Sequence, residues 1–385
     1  MENNQNFSWY SIPKNLNNLK EYIIIKVNLV KTMNLKNNVL KVLSGEESDI
    51  TPVISVTQVG IVEAMEKTDA FWPEAHKNAE KMATLGSSLY ELAGLENARI
   101  PFCLTVEAEA MGCKVDIGGE DRTPQITETP FRSGSDIKVP SDFLSRGRIP
   151  VVLEAIEKLK EKYEDTLPII VGITGPFTLA GHLLGVENLV RYMKIRPEEI
   201  ETAIDNSLDA CIEYAEAISE VAPDIICVAE PTAAPELIDP LQFKSIVKPI
   251  LEDLANVIKT KKVLHICGST QPIIRDMASI GYDGISVEEK VDIEKAKQDL
   301  GKGGKVIRVG GKTINMGRET ASKIVGNIST TQTLFRSSPE EVKAEVKKVL
   351  EAGVDILAPS CGLAPRSPIA NIKALVEARN EFFGI

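Results

Sequence analysis

Residues 225–267 read IICVAEPTAAPELIDPLQFKSIVKPILEDLANVIKTKKVLHIC. The stretch opens and closes with short runs rich in Ile and Val, Ile225–Ala229 and Val263–Cys267, in which apolar and polar residues do not alternate. Such runs are typical of parallel strands that are covered on both faces. A helical stretch follows each run, so the segment predicts a β–α–β unit of an α/β protein.

The same alternation of short apolar run and helix recurs along the chain. Six further runs are Pro52–Val56, Pro101–Val106, Ile169–Thr174, Gly284–Val287, Ile324–Ile328 and Ile356–Pro359. Amphipathic helices are predicted at Pro150–Tyr163, Pro197–Val221 and Pro339–Gly353. Eight alternations predict a (β/α)8 TIM barrel, with an open doubly wound sheet as the alternative architecture.

Three segments depart from this alternation. Residues 1–32 are rich in Asn and Lys and are predicted to be an N-terminal extension, ahead of a single domain over 33–385; the alternative is an ordinary terminal helix or strand packed on the domain. Residues 107–150 are long for a βα loop and predict a hairpin or lid over the barrel mouth. A Gly-Gly between β-prone runs in 301–317 predicts an inserted hairpin.

Composition narrows the class of protein. The 385 residues carry a net charge of -11, which argues against a nucleic-acid partner because phosphates attract Lys and Arg. No stretch has the roughly 20 apolar residues of a membrane helix. The six cysteines are widely scattered, which indicates reduced thiols in a cytoplasmic protein more than a secreted disulfide framework.

Three residues with metal-binding side chains fall at predicted strand ends. On a strand, His265 and Cys267 point to the same face, and Cys361 lies just beyond the last predicted strand. Carboxyl ends of barrel strands meet at the mouth, where catalytic residues of this fold lie. Two thiolates and one imidazole suit a catalytic zinc with an open position. The alternative is a core histidine beside two unrelated buried cysteines.

Glu288 ends a neighbouring predicted strand and is a tentative fourth zinc ligand. Its alternative role is to hydrogen-bond the histidine from outside the coordination sphere. Because zinc held by two thiolates is a weak activator of water but still deprotonates a bound thiol, the predicted site favours alkyl transfer to sulfur over hydrolysis.

These residues carry a family resemblance. The His265-x-Cys267 pair with Cys361-Gly-Leu363 resembles zinc-dependent thiol methyltransferases, and residues 360–363 are similar to the corresponding part of cobalamin-independent methionine synthase. From about Met33 onward the chain more closely resembles the methylcobamide:coenzyme M methyltransferases of methanogenic archaea, within the uroporphyrinogen decarboxylase superfamily. Further matching stretches are Thr105–Asp116, Gly172–Thr178, Gly326–Ser329 and Ala358–Arg379.

The resemblance implies a barrel, one zinc ion and a defined reaction. A methyl group passes from a methyl-Co(III) corrinoid, the methylcobamide of a small partner protein, to the thiol of coenzyme M (2-mercaptoethanesulfonate). By the same resemblance His265, Cys267 and Cys361 are zinc ligands, with Glu288 less certain. Glu107 and Glu109 line the corrinoid cleft or orient zinc ligands, unless they are solvated or loop-capping carboxylates.

Arg366, close to Cys361, is the candidate for binding the sulfonate of coenzyme M. A salt bridge to a neighbouring loop is its alternative role.

Two other functions stay open on the sequence alone. One is a uroporphyrinogen decarboxylase-type lyase, which needs no metal and uses arginines near its N-terminus. Residues 51–80 contain no arginine, which counts against it. The other is a zinc methyltransferase with a different thiol acceptor, such as homocysteine.

Overall fold

A computed structural model describes residues 34–163, 165–301, 305–309, 312–316 and 322–385, the two short ranges by their backbone. The predicted extension 1–32 lies outside the described residues. The strands in chain order are β1 Ala98–Ile100, β2 Lys114–Asp116, β3 Gln125–Glu128, β4 Ile169–Thr174, β5 Ile225–Ala229, β6 Lys261–His265, β7 Gly284–Ser286, β8 Lys305–Val309, β9 Lys312–Met316, β10 Lys323–Ile328 and β11 Ile356–Pro359. Seven of them form one parallel sheet in the order β1-β4-β5-β6-β7-β10-β11. The parallel α/β arrangement predicted from the sequence is confirmed.

The most apolar predicted strands are confirmed at both ends. They are Ile169–Thr174, Ile225–Ala229 and Ile356–Pro359, and every residue in them is buried. Burial on both faces explains why these segments lack the alternation of a half-exposed strand.

Other predicted strand boundaries were wrong. The run Pro101–Val106 is not a strand: β1 lies earlier, and a short helix begins at Val106. Pro101 has no N–H for a ladder, and the true strand contains the polar Arg99, which interrupted the apolar run. Strand β6 ends at His265, so Cys267 lies beyond it.

The predicted first strand, Pro52–Val56, was wrong. In its place the structure has a single bridge between Val53 and Leu357 of β11. Ile54 N–H donates to the Leu357 carbonyl at 3.0 Å, and Leu357 N–H donates to the Pro52 carbonyl at 2.9 Å. On the other side Glu96 N–H donates to the Val53 carbonyl at 2.8 Å. This segment therefore lies between β11 and the residues that lead into β1.

The predicted helices are present. Pro197–Val221 is confirmed at both ends, whereas the other two run from Ile149 to Tyr163 and from Pro339 to Glu351. The remaining α-helices are Leu35–Leu43, Val62–Thr68, Ala79–Ala93, Val106–Ala110, Pro176–Leu184, Val186–Ile195, Pro240–Gln242, Lys248–Val257, Ile274–Ser279, Ile293–Gly301 and Ile369–Phe383. Within the described ranges, none of the helices combines the length and apolar character that crossing a lipid bilayer demands.

Two antiparallel hairpins stand apart from the main sheet. Strands β2 and β3 pair within the long segment 107–150. Strands β8 and β9 form the hairpin predicted in 301–317. A lid function for either hairpin stays a prediction.

The first helix covers one end of the strands. Its side chains Val39, Val42 and Leu43 join a buried cluster with inward residues of the sheet, including Ile170 and Val263. Ile170 and Val263 lie before the carboxyl ends of their strands, so the helix does not pack against those ends. The carboxyl ends of the strands are thus left for a site, as the fold class predicts.

A candidate metal centre and its cavity

The structure brings the three predicted ligands together. His265 is the last residue of β6, Cys267 follows two residues later, and Cys361 follows β11 by the same interval. Their ligand atoms, one ring nitrogen and two sulfurs, all lie within 4.8 Å of one another. Residues that are 94 positions apart meet because parallel strands direct their carboxyl ends to one edge.

The spacing of these atoms tests whether they fit a metal. His265 Nε2 lies 3.1 Å from Cys267 Sγ, and the two sulfurs are 3.5 Å apart. In a tetrahedral zinc site with Zn–S bonds of about 2.3 Å, two sulfurs lie about 3.8 Å apart. The donor set and its spacing therefore fit zinc after a small outward movement of the sulfurs.

Ser286 fixes the histidine ring. Its Oγ lies 3.0 Å from His265 Nδ1, and both side chains are buried. With Nδ1 engaged by a hydroxyl, Nε2 is the nitrogen that faces the two sulfurs. Such a partner on the far ring nitrogen is a common feature of metal-binding histidines.

The two thiols are in hydrogen-bonding contact, with their sulfurs 3.5 Å apart. A hydrogen bond from Cys267, together with the nearby His265, holds the pKa of Cys361 well below its ordinary value. The same hydrogen bond and burial raise the pKa of Cys267. One thiolate is thus stabilised before any metal binds, and a cation would favour loss of the remaining proton.

Glu288 lies beside the centre but outside the group of three. Burial and the negative charge of Cys361 raise its pKa, and its carboxylate in turn raises the pKa of Cys267. Its side chain is only 17% exposed, and Lys290 Nζ lies 3.8 Å from Oε2. The carboxylate is therefore near the sulfurs, and a role as fourth ligand remains a proposal.

A cavity of about 640 Å³ opens beside the three ligands. Most of its wall comes from loops that follow the strands. Its other lining residues include Gln58, Phe102, Cys103, Thr105, Ile126, His182, Val186, Pro231 and Gly362. A cavity of this size, mostly apolar with a few polar groups, has the character of a small-molecule site.

Glu107 and Glu109 support the cavity wall without lining it. Glu107 is buried, and its two oxygens accept from Thr174 N–H at 2.7 Å and Thr174 Oγ1 at 2.8 Å. Glu109 accepts from Arg148 Nε at 2.6 Å, and Arg148 also reaches Thr105 Oγ1 at 2.7 Å. Thr105 lines the cavity, so Glu109 acts on the cavity through Arg148.

Arg366 is not among the residues that line the cavity. Its side chain is 67% exposed, and Nη2 lies 2.7 Å from Asp121 Oδ2, in the turn between β2 and β3. The structure therefore favours the alternative role, a salt bridge to a neighbouring loop.

Arg99 and His182 line the cavity and were missed by the sequence analysis. Arg99 is buried and His182 is half-buried, and burial of the ring lowers the pKa of His182 to about 4. The sequence did contain a signal for Arg99, because this arginine stands between the apolar residues Ala98 and Ile100. A buried charge needs polar or charged partners, so an arginine inside an apolar strand indicates that polar groups lie on the inner face of the sheet.

Comparisons with known proteins agree over almost the whole chain. The family model of Uroporphyrinogen decarboxylase (URO-D) matches residues 34–382. The methylcobamide:CoM methyltransferase MtaA of Methanosarcina barkeri is 43% identical over 351 residues, 91% of this chain and 98% of the relative. MtbA of Methanosarcina acetivorans, a methylcobamide:CoM methyltransferase, is 34% identical over 354 residues, 90% of this chain and 98% of the relative.

A solved structure gives the same result. A methyltransferase from Methanosarcina mazei superposes with a TM-score of 0.84 at 42% identity, covering 91% of this chain and 99% of that one. The chain therefore belongs to the uroporphyrinogen decarboxylase (URO-D) family and, within it, to the group of the methylcobamide:CoM methyltransferases.

Proposed function

We propose that this protein transfers a methyl group from the methylcobamide of a small corrinoid protein to the thiol of coenzyme M, at a zinc ion held by His265, Cys267 and Cys361. The observation that carries the proposal is the convergence of these three ligand atoms beside a cavity, in a chain 43% identical to a methylcobamide:CoM methyltransferase.

The donor set supports zinc as the metal. Two thiolates and an imidazole match the borderline softness of this ion, and three protein ligands leave a fourth position for a substrate atom. When bound there, zinc would supply a Lewis acid that keeps a substrate thiol deprotonated near neutral pH. We propose Glu288 as the side chain that occupies the fourth position before the thiol arrives.

The reaction balances as a displacement at carbon. The thiol releases its proton to solvent, its sulfur forms a bond to the methyl carbon, and the cobalt–carbon bond breaks with both electrons on cobalt. The products are methyl-coenzyme M and a Co(I) corrinoid. The chain's own contribution is to hold the ligands by contacts such as Ser286 to His265 and to keep the thiol within a partly apolar cavity.

We propose that the fold is a (β/α)8 barrel. The seven-stranded sheet has β1 at one edge and β11 at the other. The segment around Val53 lies between these edges, since it is hydrogen-bonded to Leu357 of β11 and to Glu96, which precedes β1. We infer that this segment takes the place of the eighth strand and closes the barrel, with the metal centre at its carboxyl-end mouth. The β2–β3 hairpin is the proposed lid, and residues 1–32 remain a predicted extension.

We propose a cytoplasmic location, and the free thiols support it. All six cysteines are free, including Cys267 and Cys361 with their sulfurs 3.5 Å apart. Two half-buried thiols at this distance persist in a reducing compartment, where disulfides are rare.

The full-length protein tests the function directly. Wild type is expected to bind one zinc by elemental analysis and to methylate coenzyme M with methylcobalamin as donor. Cys361→Ser is expected to lose the zinc and the activity. Cys211→Ser is the matched control, because Cys211 is a buried thiol that donates to the Thr174 carbonyl at 3.3 Å, a bond that serine retains.

The outcomes separate the parts of the proposal. A metal-free protein that methylates coenzyme M would contradict the zinc site. A zinc-loaded protein that methylates homocysteine but not coenzyme M would replace the acceptor. A protein that decarboxylates uroporphyrinogen without metal would overturn the function.

A further inference from the structure

Arg99 is a buried cation in the wall of the cavity. It lies on β1, its residue is 2% exposed, and among the described residues that line the cavity it is the only lysine or arginine. An arginine keeps its charge in a protein interior, so its burial demands negative or polar partners.

The hydrogen bonds of the Arg99 guanidinium are incomplete. Arg99 Nε donates to the Val56 carbonyl at 3.2 Å, but Nη1 is buried with no hydrogen-bond partner among the described residues. Glu107 is the acidic side chain that acts electrostatically on Arg99, yet both of its oxygens are already bonded to Thr174. A buried, unpaired guanidinium N–H costs several kcal/mol unless a ligand satisfies it.

Gly172 leaves the space that the guanidinium occupies. A Cβ at Gly172 would overlap Arg99 Nη2, so only glycine leaves room for the side chain where it lies. Gly172 is paired in register with Cys227, and Cys227 with Val263. His265 is two residues further along that strand, roughly 7 Å closer to the mouth.

We infer that Arg99 binds the anionic group of the thiol substrate through its guanidinium, an inference that rests on the proposed function and deepens it. A thiol held at the metal centre would place its other end toward the cavity floor, where the guanidinium lies. In coenzyme M two methylene groups separate the thiol from the sulfonate and span a gap of this order. Arg99 takes the role predicted for Arg366, which lies on the surface with Asp121.

This arrangement predicts selectivity among thiols. A neutral thiol such as ethanethiol shares the two-carbon skeleton but offers the guanidinium no anionic or hydrogen-bonding partner. Because losing a hydrogen bond to a charged group costs about 1.5–3 kcal/mol, coenzyme M should be preferred by about 10- to 100-fold.

The test compares wild type, Arg99→Met, Arg99→Lys and Gly172→Ala as zinc-loaded full-length proteins. Calorimetric titration should show coenzyme M binding weakened by about 10- to 100-fold in Arg99→Met and by less in Arg99→Lys, which keeps a point charge. Gly172→Ala should weaken binding because it displaces the guanidinium while leaving the charge present. In methyl transfer the preference for coenzyme M over ethanethiol should fall in parallel.

Each outcome decides between the two proposals. Unchanged coenzyme M affinity in both Arg99→Met and Gly172→Ala overturns the anion site, and loss of affinity in Arg366→Met instead would return the role to Arg366. A wild type that binds coenzyme M through Arg99 but transfers no methyl group overturns the proposed function alone. If Arg99→Met fails to fold, as thermal unfolding would reveal, the Gly172→Ala titration still decides.

Discussion

His265 Nδ1 lies 3.0 Å from the hydroxyl oxygen of Ser286, and both side chains are buried. The contact joins the last residues of the neighbouring strands β6 and β7, which are paired in register at these two positions. The orientation of the His265 ring is therefore set by the pairing of two neighbouring strands.

Removing this hydroxyl should weaken the metal centre. We expect Ser286→Ala to reduce zinc affinity by about 10- to 100-fold, because the ring loses the partner that fixes it. Competition with a zinc chelator measures the change. Ser367→Ala is the matched control, since Ser367 is buried but its Oγ has no partner among the described residues. Equal zinc affinity in Ser286→Ala and wild type would contradict the prediction.

Glu288 is expected to contribute to metal binding more than its neighbour does. If its carboxylate is the fourth ligand, Glu288→Gln should lower zinc affinity by at least about tenfold, and X-ray absorption should show one oxygen ligand fewer. Glu289→Gln is the control, because Glu289 accepts from Ser329 Oγ at 3.1 Å. An unchanged coordination shell in Glu288→Gln would assign the carboxylate to a position outside it.

Gly268 shapes the chain directly after Cys267. Its φ is +85°, and a Cβ would overlap the carboxylate of Glu236. Gly268→Ala should cost about 1–2 kcal/mol of stability and also weaken zinc binding by displacing Cys267.

Gly281→Ala provides the control for Gly268→Ala. Gly281 has a φ of +113°, but a Cβ added there would meet no atom of the described residues within 4 Å, so the change tests backbone strain alone. Urea unfolding and chelator competition should show a stability loss in both variants and a zinc-affinity loss in Gly268→Ala only. Similar zinc losses in the two would trace the effect to general destabilisation.

His76 predicts a pH dependence of stability. It is fully buried, both ring nitrogens lack a partner among the described residues, and its ring lies 5.0 Å from that of Trp72. Burial lowers its pKa from 6.5 to about 3. The folded state therefore binds fewer protons than the unfolded state below pH 6.5, and stability is lost as the pH falls toward 3. Between pH 7 and 5 this loss is about 2 kcal/mol.

Replacing the ring tests the effect. His76→Phe keeps an aromatic side chain beside Trp72 and removes the titrating group, so its stability should fall by about 2 kcal/mol less than that of wild type between pH 7 and 5. Denaturant unfolding at both pH values gives the comparison. Unfolding at pH 8 is the reference, because His76 is uncharged there in both the folded and the unfolded state. Parallel pH profiles for the two proteins would refute the assigned pKa.

Sequence patterns predicted the strands that are buried on both faces, such as Ile169–Thr174, because their composition is uniform. They also predicted that His265, Cys267 and Cys361 would meet, because parallel strands direct their carboxyl ends to one edge. They failed at β1, where Arg99 broke the apolar run and so hid both the strand and a cavity residue.

The partners of long charged side chains were beyond the sequence. Arg366 contacts Asp121, which is 245 positions away, and Glu109 contacts Arg148 across a bend of the long segment after β1. Such pairs depend on how distant loops are folded over one another, which no local periodicity records.

Arg379, on the helix Ile369–Phe383, contacts two residues from the first part of the described chain. It donates to the Thr51 carbonyl at 2.6 Å and is ion-paired with the buried Glu96. During synthesis on the ribosome, Cys361 and Arg379 emerge after every other strand and ligand. His265 and Cys267 are therefore made before Cys361, and we expect the proposed zinc ion to gain its third protein ligand only once the last strand has joined the sheet.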